Sequence, residues 1–521
     1  MDTRIGLPQS GAPRLNTPVH RLPEEILLDI LLLSLKGGRT SYRYERLNQL
    51  MLVCSRWEAL SIAPSLWAVV STEQPLSVIE NLLYRSKDAL LDVIYTSYAS
   101  ETRSLWPART ETNTLLLNNT HRWRSFEFQQ HNQHESIIAP LLDLAFINRL
   151  GHIAAPSLNS ISLISSTPMS FGTPFPSNIT RLRHISVGNC AVPWNPGLFS
   201  GLETLELNKL GGIGPSLDQF VNFLHASPGL VTLSLDHWDV QGTLSNRSEI
   251  INLQFLERFK IRDIVRNVAG HLLTILRIPS CTKLLLRNHH PSDNEFFGQS
   301  MEHLFPVLRA IMTSCDNIDI TLHGVRLVVV SSKGREKKLE IDWATASAMQ
   351  DWPIATCKGL RNLLGSTIVI PPVSLRICTD IRTLVAAFIL ESNGPIEKLT
   401  LVHDQYASDR LSRILDLLSK PNDVDGVARW LLPNLKILDI VQDAWTEQGQ
   451  GQEQLVSMIR NRYADHGPSE IYEPPAKLRS LRIISKDLVR YSYWLTMEGI
   501  LGPGVKSWGV SPNYKVLEDG W

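Results

Sequence analysis

One short phrase recurs along this chain and limits what the chain can fold into. It runs apolar residue, two residues of any kind, apolar residue, one residue, apolar residue. It reads LNSISL at 158–163, LRHISV at 182–187, LETLEL at 202–207, LVTLSL at 230–235, LERFKI at 256–261, LKILDI at 435–440 and LRSLRI at 478–483. Weaker copies are LLDVIY (90–95), WRSFEF (123–128), CTKLLL (281–286), CDNIDI (315–320) and IEKLTL (396–401). The last four residues alternate as a strand does, with every second side chain on one face. The leading apolar residue belongs under the turn that enters the strand. Several copies follow a proline, as in APSL, SPGL and LPNL, and helix-patterned stretches such as SLDQFVNFLHAS and DRLSRILDLLSK run between them. From Leu158 to Cys281 the starts lie 20–28 residues apart. A unit of that size cannot close a core of its own, so neighbouring units stack and share one.

Phrase and spacing together resemble a leucine-rich-repeat array of a degenerate kind. The resemblance implies an α/β fold for 71–500: a curved solenoid with short parallel strands inside and helices outside. The asparagine usual after the strand is irregular here. Asn189 and Asn208 approximate it, and Asp236 takes its place in LSLDHW. Past residue 290 the copies become unevenly spaced, which predicts insertions. A plain α/β domain with parallel strands would produce similar phrases, and that alternative stays open.

The N-terminal seventy residues follow another pattern. Residues 1–20 are rich in Pro, Gly and Ser/Thr and read as a disordered lead-in. Pro23 suits a first helical turn, where its missing N–H is not needed. Glu24 and Glu25 complement the positive helix N-terminus. Behind them Ile26, Leu27, Ile30, Leu31 and Leu33 are too dense for one narrow stripe, so this helix must be covered on two sides. A second helix is predicted over Leu47, Leu50, Met51, Val53, Cys54 and Trp57, and Pro64 ends the unit with Leu66 and Trp67 packing back. A helical unit of about 50 residues is marginal alone, so the apolar excess points to a partner. The competing reading makes it the cap of a larger helical core.

LPEEILLDIL followed by LMLVCSRWEALSIAPSLW resembles an F-box, and the closing PSLW resembles variants common in large fungal families. The matching positions are Leu22, Pro23, Ile26, Ile30, Val53, Cys54, Trp57, Pro64, Leu66 and Trp67, over about a tenth of the chain. The resemblance implies a small helical F-box at 21–70 that docks on a Skp1-like adaptor and, through it, a cullin–RING ubiquitin ligase. Its implied adaptor-binding residues are Leu22, Pro23, Ile26, Leu27, Ile30, Val53, Cys54, Trp57, Leu66 and Trp67. The connection from Ile30 to Leu50, with Gly37-Gly38 and SYRYER, is longer than the family pattern.

Composition narrows the remaining classes. Lys+Arg and Asp+Glu both total 51, so the basic surplus usual in nucleic-acid binders is missing, and KGREKK at 333–338 reads as a solvated loop. The six cysteines stand at 54, 190, 281, 315, 357 and 378, with no metal-type spacing; they read as single thiols in a reducing compartment. No stretch reaches the roughly 20 apolar residues of a membrane span, and the N-terminus lacks a secretory apolar region. These features predict an intracellular protein, cytoplasmic or nuclear, with no membrane or nucleic-acid partner.

No catalytic pattern emerges. G-x-S-x-G, Walker A and H-E-x-x-H are absent, and GGIGPS at 211–216 lacks the GK[ST] ending, so it reads as a turn between repeats. His131 and His134, His289-His290, and His403-Asp404 read as loop residues without a metal or nucleophile partner. Neither cofactor nor metal is expected. Trp194, Trp238 and Trp343 each follow a strand phrase, so two readings stand: anchors for a target protein on a rim, or fillers between repeats. A Gly/Pro-rich tail at 501–521 is expected to cover the last repeat, or else to be disordered. The resulting expectation is a non-catalytic ligase adaptor holding Skp1 at one end and an unidentified target at the other. A Skp1-independent interaction scaffold is the alternative. An enzyme on an unrecognised α/β domain is the third reading.

Overall fold

The twelve phrases all lead into strands. In the computed structural model the described residues are 21–35, 42–98, 106–131, 139–170, 172, 181–194, 197–210, 213–238, 250–264, 266–288, 318–323, 326–331, 338–343, 373–378, 396–403, 408–424, 427–442, 450–463, 475–485, 491–502 and 505–509. The lead-in 1–20, His134, His289-His290 and Asp404 lie outside them. So do Cys315, Cys357 and residues 510–521 of the tail. The chain divides into two compact units, Met1–Pro193 and Trp194–Trp521.

The first unit opens with helices α1 (Glu24–Ser34), α2 (Arg43–Met51) and α3 (Ser55–Leu60) and a 3-10 turn, Pro64–Trp67. Strand β1 (Val69–Ser71), α4 (Leu76–Ser86), β2 (Leu91–Tyr98), α5 (Trp106–Asn118), β3 (Trp123–His131), α6 (Ala139–Leu150), β4 (Ser160–Ser170) and β5 (His184–Ala191) follow. Strands β1 to β5 lie side by side in chain order, all parallel. Their register aligns Val70, Val93, Phe126, Ile161 and Ile185 in one row, every member buried. Aromatic rings thicken this core: Tyr95 stacks on Phe146 at 4.5 Å and Trp123 on Phe126 at 5.1 Å.

The second unit holds β6 (Thr204–Asn208), α7 (Leu217–Ala226), β7 (Thr232–Asp236), β8 (Ile251–Asn252), β9 (Arg258–Arg262), α8 (Arg266–Ile275), β10 (Leu276–Arg277) and β11 (Lys283–Asn288). Then come β12 (Ile318–His323), β13 (Arg326–Ser331), β14 (Lys338–Trp343), β15 (Val373–Cys378), β16 (Ile396–His403) and α9 (Ser408–Leu418). The last elements are β17 (Asn422–Val424), β18 (Val427–Arg429), β19 (Ile437–Gln442), α10 (Gln450–Tyr463), β20 (Ser480–Ser485), α11 (Tyr491–Leu501) and β21 (Val505–Gly509). Pairing runs β6, β7, β9, β11, β14, β13, β12, β15, β16, β19, β20, β21. All these pairs are parallel except the two that β13 makes. The uneven spacing past residue 290 therefore includes an inserted antiparallel strand. The tail contributes too: β21, with Trp508, adds one more parallel strand beside β20.

Local chemistry explains the repetition. The phrase leaders Leu158, Leu182, Leu202, Leu230, Leu256, Leu435 and Leu478 are all buried. The residue after each leader already bonds back to the preceding copy: Val231 N–H to Glu203 O, Glu257 N–H to Val231 O, and Thr282 N–H to Glu257 O. The ladder thus begins one residue before each strand, and a conserved geometry results from unrelated side chains. Beyond the strands a second device repeats. Lys209, His237 and Asp263 have positive φ, near +48°, and each N–H reaches the carbonyl of Asp236, Arg262 or Arg287 in the next copy. The irregular asparagine signal marks this turn. Asn189 occupies the left-handed conformation itself, while elsewhere the residue after Asn208 or Asp236 does.

Helices fill the spaces between strands. Ser216 caps α7: its hydroxyl accepts from Gln219 N–H, and the Gln219 side chain accepts from Ser216 N–H at 2.9 Å. That capping box starts α7 at the last residue of GGIGPS, of which 211–212 lie outside the described residues. Leu217, Phe220, Val221, Phe223 and Leu224 form the buried face of α7. In α10, Arg462 is buried. Its guanidinium donates to Leu418 O and Leu432 O at 3.2 and 2.7 Å, closing the end of α9. Among the described residues no helix is long and apolar enough to cross a membrane. Cys54, Cys190 and Cys281 are free thiols.

Candidate adaptor-binding surface

In α1, Leu27 and Leu31 point inward, followed by Leu35 just beyond the helix. The opposite stripe carries Ile26, Ile30 and Leu33, exposed by 46, 41 and 63%. The positions i, i+4 and i+7 place these three on one helical face, so α1 is apolar on two sides, as its density of Leu and Ile predicts. The α2–α3 junction adds Leu52 and Val53, at 86 and 59% exposure, and Ile62 follows α3 at 68%. Single exposed apolar residues are ordinary; a helix stripe of three with an apolar pair at the next junction is not.

The scaffold under this surface is tied by specific bonds. Arg56 of α3 donates to Leu22 O at 2.6 Å, bringing the start of α3 to the Leu22-Pro23 turn. Arg43 of α2 donates to Leu35 O at 3.1 Å and satisfies a carbonyl at the end of α1. Burial pushes the Arg43 guanidinium pKa down, opposed by the negative charge of Asp92. Trp67 holds the centre. Its indole N–H donates to Ser61 O at 2.6 Å, Tyr44 packs edge-on at 6.2 Å, and the Arg85 guanidinium lies 4.3 Å over the ring. Tyr44 in turn accepts from Asn81 at 3.1 Å.

Sorting the expected adaptor-binding residues by burial divides them. Ile26, Ile30 and Val53 are exposed, as is Pro23; Leu22, Cys54 and Trp57 are half-buried. Leu27, Leu66 and Trp67 are buried, Leu66 and Trp67 packing back as their place after Pro64 predicts. The motif reading missed Leu33, Leu52 and Ile62. Leu33 was legible as one apolar residue too many for a single stripe. Leu52 and Ile62 border helix ends, where periodicity says nothing about facing.

The tryptophans resolve differently. Trp238 is fully buried against Phe220 at 4.7 Å, so the rim-anchor expectation fails there and the filler reading holds. Gly214 makes room for it, since a Cβ there would sit 2.6 Å from the Trp238 indole nitrogen. Trp194 is half-buried, donates to Ile213 O at 2.9 Å and packs on Phe199 at 5.2 Å. Trp343 closes β14, and its side chain lies outside the described residues.

The geometry is that of a short, internally tied helical unit with an apolar stripe turned to solvent. Residues 19–73 match the family model for an F-box-like domain, which supports an F-box protein. The match covers the three helices, the 3-10 turn and β1. No curated protein matches the chain.

Proposed function

We propose that this chain is the substrate-recognition adaptor of a cullin–RING ubiquitin ligase. The F-box-like unit binds a Skp1-like subunit, and the strand-rich remainder acts as a leucine-rich-repeat-like solenoid that holds a target protein. One observation carries the reading: the exposed stripe Ile26, Ile30 and Leu33, with Leu52 and Val53 at the next junction, inside a segment that matches an F-box-like model. Covering the exposed parts of these side chains and of Ile62 would release on the order of 5–10 kcal/mol. That is comparable with the loss of freedom on association. Polar groups around Leu22 and Pro23 are therefore needed to make the docking tight and to fix its orientation.

The chain contributes position, not chemistry. Holding a target near a ubiquitin donor raises the effective concentration of its lysines. Two tests apply. Co-purification with a Skp1-like subunit, lost in Leu22→Asp/Pro23→Ala, supports the docking step; recovery of a cullin in the same complex supports the ligase. In a reconstituted assembly, ubiquitin reaches a bound target only when this chain is present. With activating and conjugating enzymes alone, the chain transfers none. Binding to the Skp1-like subunit with no cullin recovered would favour a scaffold outside any ligase.

A further inference from the structure

Strand β9 reads RFKIR and β11 reads KLLLRN. Phe259, Ile261, Leu284 and Leu286 are buried, so the alternation turns Arg258, Lys260, Arg262, Lys283 and Arg287 to the other face. In a chain with equal numbers of acids and bases, this is a local concentration. The register sharpens it. Thr204 lies opposite Thr232, Thr232 opposite Arg258, Arg258 opposite Lys283, and Lys283 opposite Lys338 of β14. Three successive positions of that row are basic and none is acidic. Like charges directly opposite one another destabilise a sheet, so the row opposes folding.

Two steps along the strands the cations are balanced from within. Asp236 lies 3.3 Å from Lys260 Nζ and 3.5 Å from Arg262 Nη1. His237 bridges Asp236 at 2.5 Å and Asp263 at 3.3 Å. The Asp236–His237–Asp263 group has metal-like spacing, but the two cations on Asp236 compete for the same oxygens. At the other end, the Arg258 guanidinium donates to the Thr232 hydroxyl at 3.1 Å, and among the described residues neither Arg258 nor Lys283 has a carboxylate partner.

We propose that the Arg258–Lys283 row docks an extended segment of the target protein rich in Asp and Glu. The proposal rests on reading the repeat region as the target-binding part and names the chemistry it selects. Charge complementarity supplies the occupant. Neighbours across strands lie about 4.8 Å apart and alternate residues along a strand about 6.6 Å apart. Arg258 and Lys283 stand on neighbouring strands, and their long side chains can splay from the first spacing to the second, so that they meet carboxylates on alternate residues of an extended chain. A phosphate dianion calls for donors converging on one centre, and Arg258 is turned aside to Thr232. A polynucleotide calls for a broad basic surplus, and Asp236 and Asp263 interrupt this one.

The test uses the full chain and a short fluorescein-labelled peptide of alternating Glu and Ser, followed by anisotropy at low salt. The proposal expects saturable binding that weakens as salt rises, and no binding when Gln replaces Glu. Arg258→Glu/Lys283→Glu weakens it about tenfold or more, while Arg258→Lys/Lys283→Arg retains it. An unchanged melting temperature and unchanged capture by a Skp1-like subunit show that the reversed variant is folded. Equal binding of the Gln peptide overturns the proposal, as does a folded reversed variant of undiminished affinity. Tighter binding of a singly phosphorylated peptide or of a single-stranded oligonucleotide overturns it in favour of that occupant. If the Glu peptide is not bound while Skp1 capture persists, this inference falls and the docking reading stands. If the peptide is bound and Skp1 is not captured, the ligase reading falls and this surface remains.

Discussion

In α1, Leu27 and Leu31 are buried while Ile26, Ile30 and Leu33 stand in solvent. In β7, Leu233 and Leu235 are buried while Thr232 and Ser234 occupy the outward positions. The same side-chain chemistry is handled in two ways within one chain. Strand β7 completes its core internally, since a period of two separates its apolar from its polar residues without remainder. The helix carries more apolar residues than one face can bury, and the surplus is left for another surface. Excess of apolar pattern over available interior is thus a physical criterion for where a partner belongs. The basic row on β9 and β11 is the polar counterpart, an excess of charge over available counter-charge.

Mutations at the two kinds of position should separate this contrast cleanly. The largest expected effect is at Trp67. Trp67→Ala removes a fully buried indole and its bond to Ser61 and should destabilise the protein by about 3–5 kcal/mol in thermal or denaturant unfolding. An effect no larger than that of a surface substitution would mean the N-terminal helices have no core of their own.

Next comes the ion network around Asp439. Burial alone would raise its pKa; the Arg482 hydrogen bond and the Lys398 charge outweigh burial and hold the carboxyl below the usual range. A depressed acid contributes stability above its unfolded pKa, and that contribution is lost as pH falls through the folded value. Asp439→Asn should therefore cost about 1–3 kcal/mol at neutral pH, with the difference from wild type shrinking in acid below the ordinary Asp range. A pH-independent difference would show that the pair does not act through charge.

Gly214→Ala drives a methyl group into the Trp238 indole, at 2.6 Å, and should lower stability by about 1–3 kcal/mol. Against these, Ile30→Ser/Leu33→Ser should change stability by only about 0.5 kcal/mol or less, because both side chains already face solvent. Smallest of all, Cys190 should resist alkylation in the native protein at neutral pH: burial pushes its thiol up to about 12 and its side chain is inaccessible. Mass spectrometry of the alkylated native chain checks this, and rapid modification of Cys190 would contradict the packing of β5.

Strands were the most legible part of the fold. The LETLEL type of phrase locates both the strand and the turn leucine that precedes it, because alternation and a buried leader are separate constraints on the same six residues. The inserted strand β13, RLVVVS, was not legible. It lacks the leading apolar turn residue, and its direction depends on pairing with β12 and β14, which no local pattern encodes. On the candidate surface, the sequence marked α1 as two-sided but did not tell inside from outside among the motif residues. Leu27 and Ile26 are adjacent and equally apolar; only the packing of α1 on the residues behind it assigns them to opposite faces. Trp238 misled for a related reason, since position after a strand does not reveal that Gly214 leaves an indole-sized space beneath it.

The central claim is that α1 and the α2–α3 junction are left uncovered for a second polypeptide. Its most direct test is the affinity of the purified chain for a purified Skp1-like subunit, measured by calorimetry for wild type and for Ile26→Asp/Ile30→Asp/Leu33→Asp, with melting temperatures taken in parallel. The account predicts saturable one-to-one binding by wild type, and its loss in a variant that melts as wild type does. Equal binding by the two proteins, or no binding by a well-folded wild type, would contradict it.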